Sequence, residues 1–271
     1  MILETTTALD AIKFKTNLEK SLTTKAPQYA KLIYTQALKY GVYNNACSEF
    51  VQDWYFYSIE ESIKQYCKSL PFSVQVFVAP LGKDTNASTD PKSKIVYIND
   101  RILDGFVKTT ISELSTFVYA PNNPHYNESD FSEQAIADGM FDGYLYSTSS
   151  DIKNKFIATL LHEISHLQQI PNDNAKNAML RSVSNNNKIE DNKEQFEDYS
   201  SQSHEIDAFA NGEVAKYILD NPDYTLSDIK TQTVYLTKKY SQFGDITLSN
   251  ETKKKFATKV FKLLYQHYHQ K

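Results

Sequence analysis

A chain of 271 residues is long enough to bury a substantial core, and its net charge of −4 with 23% charged residues excludes an electrostatic nucleic-acid binder. Hydrophobic residues make up 41%, yet no apolar run approaches the roughly 18 residues of a membrane-spanning helix, so no membrane span is expected. Only seven glycines predict a helix-rich chain with few tight turns, and nineteen tyrosines with fifteen phenylalanines supply much of its core bulk.

The opening MILETTTALDAIKFKTNLEK carries no basic segment followed by an apolar one, so no signal peptide is expected. The expected location is cytoplasmic, or outside the producing cell after export by a dedicated system as an effector. Residues 1–70 read as helices. Within 49–70 the apolar positions Phe50, Trp54, Tyr57, Ile63, Tyr66 and Leu70 recur close to the helical period, and Pro71 stops the pattern. Cys47 and Cys67 stand twenty residues apart, a spacing that matches no metal or redox motif, and read as buried thiols of a reducing compartment. Two short strand-like runs, 73–78 and 94–98, flank the polar, turn-rich stretch 82–92.

Residues 107–118 are ambiguous by pattern and helical by length, and 120–132 is loop-like around Pro121 and Pro124. The run 143–147 (GYLYS) reads as a third short strand. A helix follows over 149–170, opened by Ser149 or Ser150 with Asp151 in its first turn and closed by Pro171. The stretch 172–203 is a polar excursion. A second clear helix spans 203–219 and ends near Asn221-Pro222. From 226 onward the pattern is helical again, with Phe256, Val260, Phe261, Leu264 and Tyr268 as its buried stripe and Lys253 to Lys255 on a solvated face. The expected fold class is α+β and mostly helical. It comprises a helical N-terminal region (1–70), a core with a small sheet packed on an active-site helix (71–224) and a C-terminal helical region (225–271), joined in one compact unit.

The helix over 149–170 contains His162-Glu163-Ile164-Ser165-His166. Residues four apart share a helix face, so both imidazoles can reach one ion, and two nitrogens one turn apart fit a tetrahedral zinc site. Glu163 can contact a water on that ion without ligating it, and can take the proton as the ion lowers the water's pKa and polarises a carbonyl. Ile157, Leu160, Leu161, Ile164 and Leu167 form an apolar stripe almost opposite the two histidines. The helix should therefore pack by one side and line a cleft with the other.

Catalytic zinc usually takes three protein ligands. Glu205, on the flank of the stripe Ile206, Phe209, Ala210, Val214 and Tyr217, is the favoured third, with Ala208 small enough to let the two helices approach. His204 is the first competitor but faces about 100° away. Glu190, Glu194 and Glu197 of the polar excursion remain open. Tyr199 and His204 are candidate oxyanion stabilisers, while Tyr217 reads as core, and His125, His267 and His269 as surface.

HExxH followed by a Glu-x-x-Ala-Phe-Ala helix resembles the zincin metallopeptidases, in particular gluzincin-like members whose third ligand is a glutamate on a following helix. Over about residues 155–215 the resemblance implies a zincin-like core, His162, His166 and Glu205 as ligands of Zn2+, and Glu163 as the general base. Phe209 stands where the thermolysin-like pattern has Asp, and no Gly and third His follow His166 at metzincin spacing, so no subfamily is identified. Zincins commonly bind an extended substrate along an edge strand beside the active-site helix, here expected at 94–98 or 143–147. The expected activity is zinc-dependent hydrolysis of peptide bonds in a protein or peptide substrate. The alternative is a zincin-like fold holding a structural metal and acting in binding or sensing.

Overall fold

The computed structural model of the chain describes residues 7–83, 85–118, 132–147, 150–170, 202–222, 229–241 and 248–269. A 3-10 turn, Thr7–Asp10, leads into helix α1 (Ala11–Tyr40), and α2 (Asn45–Tyr66) folds back on it. Gly41, at φ 73°, ends α1 in the left-handed conformation that glycine adopts without steric cost. Asn44 starts α2 by accepting the Cys47 N–H on Oδ1 at 2.9 Å. The buried face of α2 is Val51, Trp54, Tyr55, Ile59 and Ile63, and the Trp54 indole N–H donates to the Leu22 carbonyl at 2.8 Å. Tyr57, expected in that stripe, is exposed because the buried face turns on Val51 and Tyr55 instead. Cys47 and Cys67 are buried free thiols, and burial pushes the Cys67 thiol up to about 12.

Strands β1 (Gln75–Ala79), β2 (Ala87–Asp90) and β3 (Ile95–Asn99) form one sheet in the order β1-β3-β2. β3 runs parallel to β1, with Val76 opposite Val96, and antiparallel to β2, with Thr89 opposite Val96. β2 lies inside the stretch read from sequence as turns. Its residues Ala-Ser-Thr-Asp show no apolar alternation and only Ala87 is buried, so pairing with β3 alone makes it a strand. The run expected as a substrate-binding edge, 94–98, is the central strand, with both edges already paired.

Helix α3 (Asp100–Val118) leaves β3 directly, with Asn99 Oδ1 accepting the Arg101 N–H at 3.1 Å, which resolves the ambiguous 107–118 as helix. Helix α4 (Glu133–Asp142) is capped by Ser132, whose Oγ accepts the Ala135 N–H at 3.1 Å. The expected strand at 143–147 is a π-helical turn that continues α4. Gly143 sits so close to α3 that a Cβ there would stand 2.9 Å from Thr110 Cα. Buried Lys153 donates from Nζ to the Tyr144 carbonyl at 2.9 Å and to that of Leu145, satisfying oxygens that the helix end leaves open. Five residues are too few for periodicity to separate strand from helix.

Helices α5 (Ser150–Gln169), α6 (Ser203–Asp220), α7 (Ile229–Ser241) and α8 (Asn250–His269) complete the described fold. On α8 the buried face is Phe256, Val260, Leu263, Leu264, His267 and Tyr268. Phe261 lies one helical step off that face and is exposed, whereas His267, expected at the surface, is buried against the Tyr268 ring. One hydrophobic cluster runs from Ala8 to Tyr268 through all of these elements, giving a mostly helical α+β fold. Among the described residues no helix is long and apolar enough to cross a membrane. The loop expected at 120–132 and the excursion at 172–203 fall almost wholly outside the described residues, as do His125, Tyr199, Glu190, Glu194 and Glu197.

Candidate metal centre

α5 and α6 lie antiparallel along their whole lengths. At one end Lys216 of α6 donates to Asp151 at 2.7 Å and also pairs with Asp220, whose other oxygen accepts from Asn154 of α5 at 2.8 Å. At the other end Gln169 Nε2 of α5 donates to the His204 carbonyl at 3.2 Å. Between them the helices approach closely because α6 offers Ala208 and Gly212. A Cβ on Gly212 would stand 3.3 Å from His162 Cβ and 3.4 Å from the Ala158 carbonyl oxygen. Gly→Ala inside a helix ordinarily stabilises by about 1 kcal/mol. Here the obstacles are a Cβ and a backbone oxygen, which cannot swing aside, so Gly212→Ala should destabilise the fold by about 1–2 kcal/mol. Thermal unfolding checks this, and a raised melting temperature would mean that the helix pair has slack.

This packing corrects the phase argument made from sequence. The apolar stripe of α5 is buried as expected, but the histidine face is covered by α6 instead of lining an open cleft. Side-chain exposure is 14% for His162, 11% for Glu163, 8% for His166 and 4% for Glu205. Within that enclosure His162 Nε2 and His166 Nε2 stand 3.3 Å apart, and Glu205 Oε2 lies 3.9 Å from the first and 3.6 Å from the second. Ligands at about 2.0–2.1 Å in a tetrahedron stand about 3.3 Å from one another. The three atoms thus have nearly the spacing of one face of such a site, and His162, His166 and Glu205 can hold a metal ion.

Groups around the three donors aim them. The backbone of Ala208 hydrogen-bonds to His162 in the sense that favours a ring N–H, and Phe209 packs edge-on to the same ring at 4.8 Å. Phe209 is held in turn by Tyr240 of α7 at 5.3 Å, and Tyr240 stacks on Phe256 of α8 at 4.0 Å. His204, weighed both as a ligand and as an oxyanion stabiliser, is buried with Nε2 3.4 Å from Glu205 Oε1. That places it beside the carboxylate oxygen other than the one nearest the histidines. Thr89, Ala208 and Gln169 did not emerge as site residues from sequence. Gln169 could have, since it lies three residues after His166 on the same helix face.

Glu163 Oε1 lies 3.9 Å from His162 Nε2, on the side of β2. Thr89 of β2 donates its hydroxyl to the Glu163 carbonyl at 3.1 Å. Burial pushes the Glu163 carboxyl up to about 8, with Glu205 adding to the shift and hydrogen bonds from Thr89 opposing it. Burial moves His162 the other way, down to about 3, and lowers His166 as well.

These shifts set the pH dependence of the metal-free protein. The imidazoles titrate lower in the folded state than their ordinary value of about 6.5, so their contribution is complete above that pH and is lost as pH falls toward 3. Glu163 titrates higher when folded, so its contribution is complete below its ordinary pKa of about 4.3 and is lost as pH rises through about 8. Between about pH 4.5 and 6.5 the gain from His162 and the loss from Glu163 oppose each other and the lowered His166 tips the balance upward, so metal-free protein should be most stable near pH 6.5. Glu163→Gln should flatten the alkaline limb of its melting profile, and an unchanged limb would contradict the assignment.

No family model, curated protein or solved structure matches the chain.

Proposed function

We propose that the chain is a zinc-dependent metallopeptidase that hydrolyses peptide bonds in a protein or peptide substrate. The observation that carries this is the convergence of His162 Nε2, His166 Nε2 and Glu205 Oε2 at tetrahedral spacing, with a non-ligating carboxylate, Glu163, beside it. Two imidazole nitrogens and one carboxylate oxygen are a donor set that favours zinc. When bound, the ion would supply Lewis acidity toward a substrate carbonyl and would acidify water.

With the charge of a bound ion to bring its carboxyl down from the value of about 8 in the metal-free protein, Glu163 would accept the proton of the attacking water and return it to the departing amine. Its hydrogen bonds with Thr89 tie the base to β2, so strand and base keep one spacing. The Asn99 N–H donates to the Asn86 carbonyl at 3.0 Å, which puts Asn86, Ser88 and Asp90 in the inward-bonding positions of β2. Ala87 and Thr89 therefore direct their backbone groups away from β3, along the edge next to α5. The Thr89 N–H already bonds the Glu163 carboxylate, so an extended peptide would pair there through Ala87 and the Thr89 carbonyl, and such main-chain pairing gives binding without demanding a sequence. β2 thus takes the place that sequence assigned to 94–98 or 143–147.

The test is cleavage of an unstructured peptide library by zinc-loaded protein, abolished by a chelator and restored by zinc. A hydroxamate titration of the same protein reports whether a coordination position is open. Folded, zinc-loaded protein that neither cleaves nor binds hydroxamate would favour the second reading, a structural metal in a binding or sensing protein, for which the depth of the site speaks.

A further inference from the structure

We infer that Gln169 is a positioning residue that fixes the tautomer of His166 and so turns its Nε2 lone pair toward the metal position, an inference that rests on the metal-site reading above. Gln169 is buried in the last turn of α5 and bridges two groups. Its Nε2 donates to the backbone carbonyl of His204 at 3.2 Å, and its Oε1 faces His166 Nδ1 at 3.4 Å.

The first contact decides which way the carboxamide points. A carbonyl oxygen can only accept, so the NH2 end must face His204; the flipped amide would oppose two acceptors. Oε1 is thereby committed to His166, and it too can only accept. The hydrogen of the neutral imidazole then belongs on Nδ1, which leaves the Nε2 lone pair on the side of His162 Nε2 and Glu205 Oε2. At 3.4 Å the contact is long for a hydrogen bond. The choice of tautomer still follows, because the alternative places a lone pair against a lone pair, whereas in the metal-free chain the freed His166 Nε2 can accept from His162 Nε2 at 3.3 Å. His162 has a hydrogen bond to the backbone of Ala208, a contact that no side-chain substitution removes. Gln169 is the support that mutation can reach. It also joins the turn that carries His166 to the residue before Glu205, so one amide sets two ligands. Metal-ligating histidines are commonly held through their second nitrogen in this way.

A plain helix–helix tether is the competing role, and two variants separate it from tautomer control. Gln169→Leu removes both contacts, whereas Gln169→Glu keeps an acceptor toward His166 and loses the donor to His204. The readout is a long-range proton–nitrogen correlation spectrum of metal-free, histidine-labelled full chain, with His166→Gln used to assign the ring. Zinc affinity is then measured by competition with a chromophoric chelator.

The expected result is the Nδ1–H form of His166 in the wild type and in Gln169→Glu. Gln169→Leu should shift toward the Nε2–H form and bind zinc about 10–100-fold more weakly. Gln169→Met, which keeps the length without the amide, repeats the test if the leucine variant does not fold. An Nε2–H ring in the wild type overturns the inference, as does an unchanged tautomer and affinity in Gln169→Leu. Equal losses in the Leu and Glu variants with no change of tautomer reduce Gln169 to a tether. Wild-type protein that binds no zinc removes the metal-site reading, yet the tautomer spectrum of the metal-free chain still decides what Gln169 does.

Discussion

Glu163→Gln is expected to lower peptide hydrolysis by about 10²–10⁴-fold while leaving zinc content unchanged. The two halves of that result come from the position of the side chain. Glu163 Oε1 is 3.9 Å from His162 Nε2, and Glu163 is not one of the three donors that converge. The amide of glutamine has nearly the same shape and can still accept from Thr89, so the wall between α5 and β2 should survive. It cannot take a proton from water at neutral pH, and that is the only function removed. Measuring kcat/KM on a cleaved library peptide beside metal analysis of the same preparation decides the matter. Hydrolysis at the wild-type rate in a zinc-loaded variant would eliminate Glu163 as the base.

Glu205→Ala is expected to weaken zinc binding by at least about 100-fold, beyond the range seen when only a supporting group is lost. Glu205 supplies the sole carboxylate among the three converging donors, and its Oε2 closes the triangle at 3.6 and 3.9 Å from the imidazoles. Without it two neutral nitrogens remain, and the ion's charge would be buried with no anionic partner in contact. Glu205→Gln separates charge from shape: it refills the space beside His204 and should bind zinc almost as poorly as alanine. The melting temperature provides a second readout, since a ligand that binds only the folded state raises it in proportion to affinity. The wild type should gain stability on addition of zinc, and neither variant should. A zinc-dependent rise of normal size in Glu205→Ala would pass the third-ligand role to another group.

The helical architecture was legible because helix periodicity repeats over many residues. α5 and α6 appeared within a residue or two of their observed bounds, and the apolar stripe of α5 is buried as read. Short elements were not legible. β2 has four residues and one buried side chain, and 143–147 is a single π-helical turn whose shape depends on Thr110 and Lys153, 33 and 6 residues from its ends. Phe261 and Tyr57 were placed in stripes by their apolar character, although each lies off the face its neighbours bury.

The spacing of the chain by itself determined that His162 and His166 share one helix face with Glu163 beside them, because a four-residue separation on a helix leaves no other outcome. It also presented Glu205 as the favoured candidate to complete the set, ahead of His204 and three glutamates of the polar excursion. Tertiary structure decided among the described ones. Close contact of α5 with α6 at Ala208 and Gly212 brings Glu205 Oε2 to the imidazoles and turns His204 onto the other carboxylate oxygen. It also buried the histidine face, delivered Thr89 from 74 residues away and set Gln169 between the two ligand-bearing turns. Positions within one helical turn are governed by backbone geometry that sequence spacing encodes directly. Groups separated by tens of residues meet only where packed surfaces fit, and that fit belongs to the whole fold.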